Sequence, residues 1–166
     1  MSQRLPESVN PFRMARGGEA IEGSVAIARM ARLVAELQDD RGDARLQGRF
    51  LIDEEGRTLF EGRVAARLPV TCQRCLEPVE LTIDAPVRVA VAPSDERAEG
   101  LAESFEVVVA EESRLALADL IEDELLLALP FAPTHPPGAC RAKHENVYEK
   151  AREENPFAVL EQLKTR

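Results

Sequence analysis

The amino-acid sequence predicts an α+β fold: an antiparallel sheet of about four strands, one long amphipathic helix packed on it, and short helices near both ends. Two patterns predict this fold. Several runs alternate apolar and polar residues with the period of a strand, and the segment "SRLALADLIEDELLLALP" has the period of a helix. We therefore expect the helix to cover the apolar face of the sheet.

Strand signals come first in the middle of the chain. Residues 46–52 and 60–70 place every second residue on an apolar face, and "DEEGR" at 53–57 carries turn residues between them, so the two runs predict an antiparallel hairpin. A third run at 79–91 contains Pro86, which predicts a sheet edge or a bulge at that point. Residues 105–109 predict the fourth strand.

The helix signals are spread along the chain. Pro130 stops the long helix. Asn155 and Pro156 provide a cap and a first-turn residue for a short terminal helix, "NPFAVLEQLK". After Ser24, which is placed to cap a helix that ends at "DDRGD", four apolar residues follow at helical spacing: Ile27, Met30, Val34 and Leu37.

The organisation predicted from these elements is simple. Residues 1–17 show no sustained periodicity and predict a flexible N-terminal arm. Residues 18–166 are then a single domain, in which 141–154 are charged and expected to be mobile. No internal repeat is visible.

Charge and composition restrict the class of partner. The chain has 30 acidic against 21 basic residues, a formal net charge of −9, and such a chain repels a polyanion at long range. A basic protein partner therefore fits better than extensive nucleic acid. The sequence has neither the pattern of a secretory signal nor an apolar run of membrane-spanning length, so we expect a cytoplasmic location and no membrane partner.

The three cysteines carry the clearest chemical signal. Cys72 and Cys75 form a C-x-x-C pair between two predicted strands, and Cys140 follows His135 in the proline-rich segment "FAPTHPPGAC". Together they offer the Cys3His donor set of a structural zinc ion, with His144 as a rival for His135. Reduced, partly buried thiols are the alternative. Redox chemistry is disfavoured, because no helix begins at the C-x-x-C pair.

One face of the long helix is acidic. On a helical wheel Asp119, Glu122 and Asp123 lie opposite an apolar arc that contains Leu127. Leu126 falls among the three acids. This face is interpreted either as a solvated surface or as a docking face for a basic partner. Glu124 falls inside the apolar arc, where it needs an Arg or Lys partner or a place near the core edge.

Signals for catalysis are missing from the sequence. It has no Gly-rich phosphate loop, no nucleophile with its local signature, and no carboxylates from other elements that would complete a two-metal site with the acidic helix. With six Phe and one Tyr, stacking platforms for bases are scarce. We expect that the protein is not an enzyme.

Three blocks in one order resemble a known family. "TCQRCLEPVE", "LADLIEDELLLALPFAPTHPPGAC" and the closing "NPFAVLEQLK" are similar to the bacterial YceD family of large ribosomal RNA subunit accumulation proteins. The resemblance implies a cytoplasmic, non-enzymatic ribosome biogenesis factor that supports accumulation of 23S ribosomal RNA. By position, the family's paired cysteines match Cys72 and Cys75, and its acidic helix matches 119–129. Its later histidine and cysteine match His135 and Cys140.

Two modes of action follow from this expectation. In the first, Asp119, Glu122, Asp123 and Leu126 contact a basic ribosomal protein or an rRNA assembly or processing factor. In the alternative, a zinc-knuckle-like hairpin binds RNA directly through nearby basic residues: Arg74, Arg141 and Lys143.

Overall fold

In the part of the chain that the structure describes, five strands form one sheet in the order β2-β3-β4-β5-β6, and two further strands, β1 and β7, pair separately. The structure is a computed structural model that describes residues 3–140. In chain order the elements are β1 (Ser8–Val9), α1 (Pro11–Gly17), β2 (Ala20–Ala26), a 3-10 turn (Ile27–Arg29), α2 (Ala31–Val34), β3 (Asp43–Ile52), β4 (Thr58–Thr71), β5 (Pro78–Ala92), α3 (Asp95–Glu99), β6 (Glu106–Val109), a 3-10 turn (Glu111–Ser113), β7 (Leu115–Ala116) and α4 (Leu117–Ala128).

The predicted central hairpin is confirmed. β3 and β4 pair antiparallel, and at the turn between them the Asp53 N–H donates to the Arg57 carbonyl at 3.0 Å. The Asp53 carboxylate accepts from the Arg57 N–H and Nε, and Gly56 supplies the positive φ of 79°. These are the turn residues that the sequence pattern indicated.

The sheet has five strands rather than about four, because β2 was not predicted, and the helix predicted after Ser24 is present only in part, as a 3-10 turn and the short α2. Ser24 lies inside β2, which pairs antiparallel with β3. The helical spacing came from the 3-10 turn and the short α2, which together bury Ile27, Met30 and Leu33 completely. Two short turns in succession can thus mimic the period of one longer helix.

The predicted strand at 105–109 is present as β6, but it runs parallel to β5, so the sheet is mixed rather than purely antiparallel. The chain crosses between the two strands through α3. Since β6 pairs with β5 only from Val89 to Ala92, β5 is an edge at Pro86, as predicted.

The expected flexible arm at 1–17 differs from the structure over its described part, 3–17. Leu5 is buried and its N–H donates to the Ser24 carbonyl at 3.1 Å, which extends the edge of β2. Asn10 caps α1 through the Arg13 N–H, and α1 buries Met14. Asn-Pro opens α1 at residues 10–11, the same signal from which a helix is predicted at 155–156.

α4 packs on one face of the sheet, against β4 and β5, as predicted. On this face the Phe50 and Phe60 rings lie 4.9 Å apart, and the Phe60 ring crosses Gly48 and Gly62 so closely that a Cβ on Gly48 would lie 2.5 Å from it. Glycine is therefore required at Gly48 by contact.

Three predictions lie outside the described residues: the mobile segment at 141–154, the substitute ligand His144, and the terminal helix from Asn155. Within residues 3–140, no helix has both the length and the apolar character needed to cross a membrane.

Candidate metal centre

The tip of the β4–β5 hairpin carries the C-x-x-C pair. The Cys72 N–H donates to the Glu77 carbonyl and the Leu76 N–H to the Cys72 carbonyl, both at 2.9 Å. Leu76 adopts a positive φ of 61°, which folds the chain back between the two strands. The turn therefore directs both sulfur atoms to one side of the hairpin.

The proline-rich segment brings the other two donors to the same place. Pro130 follows the end of α4, and the segment then passes the hairpin tip, where the Gln73 N–H donates to the Pro133 carbonyl at 2.8 Å. This hydrogen bond places the segment against the hairpin just before His135 and Cys140.

The structure brings all four predicted residues together. The Sγ atoms of Cys72, Cys75 and Cys140 and a ring nitrogen of His135 lie within 4.8 Å of one another. The distances are 3.7 Å between Cys72 Sγ and Cys140 Sγ, 3.4 Å between Cys75 Sγ and His135 Nδ1, and 3.7 Å between Cys140 Sγ and Nδ1. Tetrahedral zinc, with bonds of about 2.0–2.3 Å, holds its donor atoms about 3.5–3.8 Å apart. The donor set fits that ion.

The His135 ring is oriented as a metal ligand is. Its Nε2 lies 3.1 Å from the Pro78 carbonyl oxygen, which can only accept a hydrogen bond, so Nε2 donates its proton there. Nδ1 is then the nitrogen with a free lone pair, and it faces the three sulfur atoms. Backbone carbonyls commonly orient metal-binding histidines in this way.

The thiols differ in acidity. Burial acts to raise the pKa of Cys72, but hydrogen bonds from the backbone N–H groups of Cys75, His135 and Arg74 outweigh it and lower the pKa to about 5. Burial and the neighbouring sulfurs raise the pKa of Cys140. Such a cluster holds the Cys72 thiolate readily, and a cation among the sulfur atoms would favour ionisation of Cys140 as well.

Simple burial accounts for only part of the cluster. Cys72 is fully buried, as a structural thiol would be, whereas Cys75, His135 and Cys140 are each partly exposed at the rim of the hairpin. Their convergence therefore needs another explanation than core packing.

The acidic face of α4 differs from its prediction. Asp119 is exposed and Asp123 is half-exposed, but Glu122 is buried. Leu126 packs partly against the core, while Leu127, which the wheel placed in the apolar arc, is 67% exposed. The predicted contact set is thus wrong for Glu122 and Leu126, because the buried face of α4 is centred further toward Glu122 than apolar residues alone suggested.

Glu122 holds α2 instead of a partner. Its Oε1 accepts from the N–H groups of Arg32 and Leu33 at 2.7 and 3.0 Å, and its Oε2 accepts from Arg32 Nε and NH2 at 2.9 and 2.7 Å. Burial acts against ionisation, but these bonds outweigh it and lower the pKa of Glu122. Nothing in the sequence pairs Glu122 with residues about ninety positions away, so this role could not be predicted.

Glu124 lacks the Arg or Lys partner that was one of the two environments expected for it from the sequence. Its side chain is buried, and within residues 3–140 it forms no ion pair. Burial, followed by repulsion from Glu106 and Asp123, raises its pKa to about 7.

Comparisons with known proteins agree on one family. The family model described as "Large ribosomal RNA subunit accumulation protein YceD" matches residues 60–164. A protein of Haemophilus influenzae named "Large ribosomal RNA subunit accumulation protein YceD" is 30% identical over 168 aligned positions, which cover 97% of each chain. No solved structure matches.

Proposed function

Because the chain belongs to the YceD family, we propose that it is a cytoplasmic, non-enzymatic ribosome biogenesis factor that supports accumulation of the large-subunit 23S ribosomal RNA. The observation that carries this proposal is the similarity, over 97% of both chains, to the Haemophilus influenzae protein named "Large ribosomal RNA subunit accumulation protein YceD". The family match also includes the hairpin tip, α4 and the proline-rich segment.

A strain that lacks this protein tests the proposal. We expect a lower ratio of large-subunit to small-subunit rRNA in that strain, and restoration of the ratio by the intact chain. Unchanged rRNA amounts in the deletion strain under every growth condition would contradict the proposed function.

We propose further that Cys72, Cys75, His135 and Cys140 hold one structural zinc ion. Four protein ligands close a tetrahedral site and leave no position for a substrate, which supports a structural rather than a catalytic role. The ion would fasten the proline-rich segment to the hairpin tip. We call these four residues the clasp.

Metal analysis of protein purified without added zinc tests the clasp. About one zinc per chain is expected, with loss of the metal in Cys140→Ser. Ala139→Ser is the matched control, because it introduces the same side chain at an exposed neighbouring position. Folded wild-type protein that contains no zinc would disprove the site.

The protein acts, in our proposal, through a protein partner. The net charge of −9 favours a basic ribosomal protein or an rRNA assembly or processing factor over RNA itself. With Glu122 occupied internally, Asp119 and Asp123 remain as the acids of α4 that a partner can reach.

Direct RNA binding is the second candidate. Arg74 is exposed at the hairpin tip beside the clasp, while Arg141 and Lys143 lie outside the described residues. Purified protein that shifts large-subunit RNA fragments, with affinity falling steeply as salt rises, would favour this candidate. We expect no shift at physiological salt.

A further inference from the structure

β6 forms the open edge of the five-stranded sheet. It pairs with β5 on one side, and no other strand of the described chain pairs with its outer side. An exposed strand edge presents unpaired N–H and C=O groups, which are a template for another strand.

The direction of these groups follows from one hydrogen bond. The Ala110 N–H donates to the Ala92 carbonyl of β5 at 2.8 Å. Since backbone groups alternate sides along a strand, Val108 also faces β5. Val107 and Val109 therefore direct their N–H and C=O groups outward from the edge.

A groove runs between this edge and α4. Its volume is about 420 Å³, and its apolar surface comes from the valines of β6 together with Leu115 and Leu120. Val107, Val108 and Val109 are each only partly buried. The groove thus combines an unpaired backbone with side chains that can receive the alternate residues of an extended peptide.

The rim of the groove is acidic. Glu111, Asp119 and Asp123 line it, and Asp119 and Glu111 are exposed. Of the lining residues one is basic, Arg114, and its guanidinium lies 3.2 Å from the carboxylate of Glu112. Arg32, which pairs with Asp123, is also committed to Glu122. The charge around the groove therefore attracts a cationic chain.

We propose that the groove between β6 and α4 binds an extended basic peptide, which adds to β6 as a further strand. Backbone bonds to Val107 and Val109 would supply affinity, and the acidic rim would select Lys- and Arg-rich sequences. This inference rests on the proposed function, since it specifies how the basic protein partner is held. A second copy of this chain is a poorer occupant, because two acidic rims repel each other.

A labelled peptide of alternating lysine and valine is a direct probe. Its fluorescence anisotropy should rise with the concentration of the full chain, while a peptide of alternating glutamate and valine should not bind. Methylation of the peptide's backbone nitrogens keeps its charge and removes the N–H groups that would donate to the carbonyls of Val107 and Val109. We expect that change to weaken binding about tenfold or more. Equal binding of the methylated peptide would overturn strand addition.

Charge reversal at the rim is the second arm. Glu111→Lys with Asp119→Lys should weaken lysine–valine binding about tenfold or more. Asp95→Lys with Glu96→Lys on α3 changes the net charge equally at exposed positions that do not line the groove, and it should bind almost as the wild type does. Equal effects of the two variants would overturn the location, and a concentration-dependent dimer that the peptide disperses would overturn the basic peptide as the occupant of the groove.

The rRNA ratio separates the two proposals. If the peptide does not bind but the intact chain restores large-subunit rRNA, the groove proposal fails and the proposed function stands. If the intact chain does not restore the rRNA, the proposed function fails whatever the peptide does.

Discussion

The longest described helix, α4, is held at two places by different chemistry. Near its middle, Glu122 binds two backbone N–H groups and the guanidinium of α2. Beyond its C-terminal end, the clasp residues of the proline-rich segment lie beside those of the β4–β5 hairpin, where we propose that zinc connects them. Each connection joins parts of the chain that are far apart in sequence.

The two connections differ in how visible they are in the sequence. Cysteine and histidine at short spacings predict a metal-binding donor set from residue type alone, since few other roles bring these residues together. A glutamate on an acidic helix gives no such signal, because two of the four hydrogen bonds that Glu122 accepts come from backbone N–H groups, which every sequence contains. Residue type is informative only where the chemistry is restricted to that type.

Breaking the clasp should have the largest effect on stability. In Cys140→Ser we expect Tm to fall by about 10 °C, because zinc binds the folded chain and not the unfolded chain, and its binding free energy would no longer stabilise the fold. A zinc chelator should lower the Tm of the wild type to the same value. Thermal unfolding with and without chelator measures both. A wild-type Tm that the chelator does not change would mean that the clasp holds no metal that stabilises the fold.

Removing the connection between Glu122 and α2 should reduce stability somewhat less than breaking the clasp does. Glu122→Ala leaves two backbone donors and Arg32 without their acceptor, and we expect a loss of about 2–4 kcal/mol in the free energy of unfolding. Asp123→Ala is the matched control, since it removes only a half-exposed ion pair to Arg32, worth less than about 1 kcal/mol. Urea unfolding of both variants gives the comparison, and equal losses would contradict the role of Glu122.

Glu124 should produce a pH dependence of the opposite sign to that of Glu122. Its folded-state pKa of about 7 lies above the ordinary 4.5, so the folded state binds the proton more tightly. The contribution of Glu124 to the free energy of unfolding therefore falls as pH rises from about 4.5 to about 7. Glu122, with a lowered pKa, contributes stability above 4.5 that is lost as pH falls through its folded-state pKa.

Glu124→Gln tests that sign. At pH 8 the variant should be more stable than the wild type by about 2 kcal/mol, and at pH 4 the two should be nearly equal. Leu127→Gln, which introduces the same side chain at an exposed position on the same helix, should show no such difference. Urea unfolding across this pH range measures both. A wild type whose advantage grows with pH would show that Glu124 has a cation partner.

The sequence predicted the elements whose pattern is regular over many residues. β3, β4, β5 and α4 all appear, and their hairpin turn is built from the expected residues. β2 was missed because its short alternation runs directly into a 3-10 turn that imitates a helix. The parallel direction of β6 was missed because direction depends on how the chain crosses the sheet.

The donor set of the clasp was predictable, whereas the face of α4 was only partly so. A helical wheel based on apolar residues placed Glu122 on the outer face, and it fails there because that carboxylate is buried with its own hydrogen bonds. Glu122 shifts the buried arc in this way, and the positions of Leu126 and Leu127 are its consequence.

The smallest predicted effect tests that shift. Leu127→Lys should change the free energy of unfolding by less than about 0.5 kcal/mol, because the side chain is already 67% exposed. Leu126→Lys should cost about 1–2 kcal/mol, because Leu126 packs against the core. If the two costs were reversed, the wheel based on apolar residues would be right, and Glu122 would be free to meet a partner rather than α2.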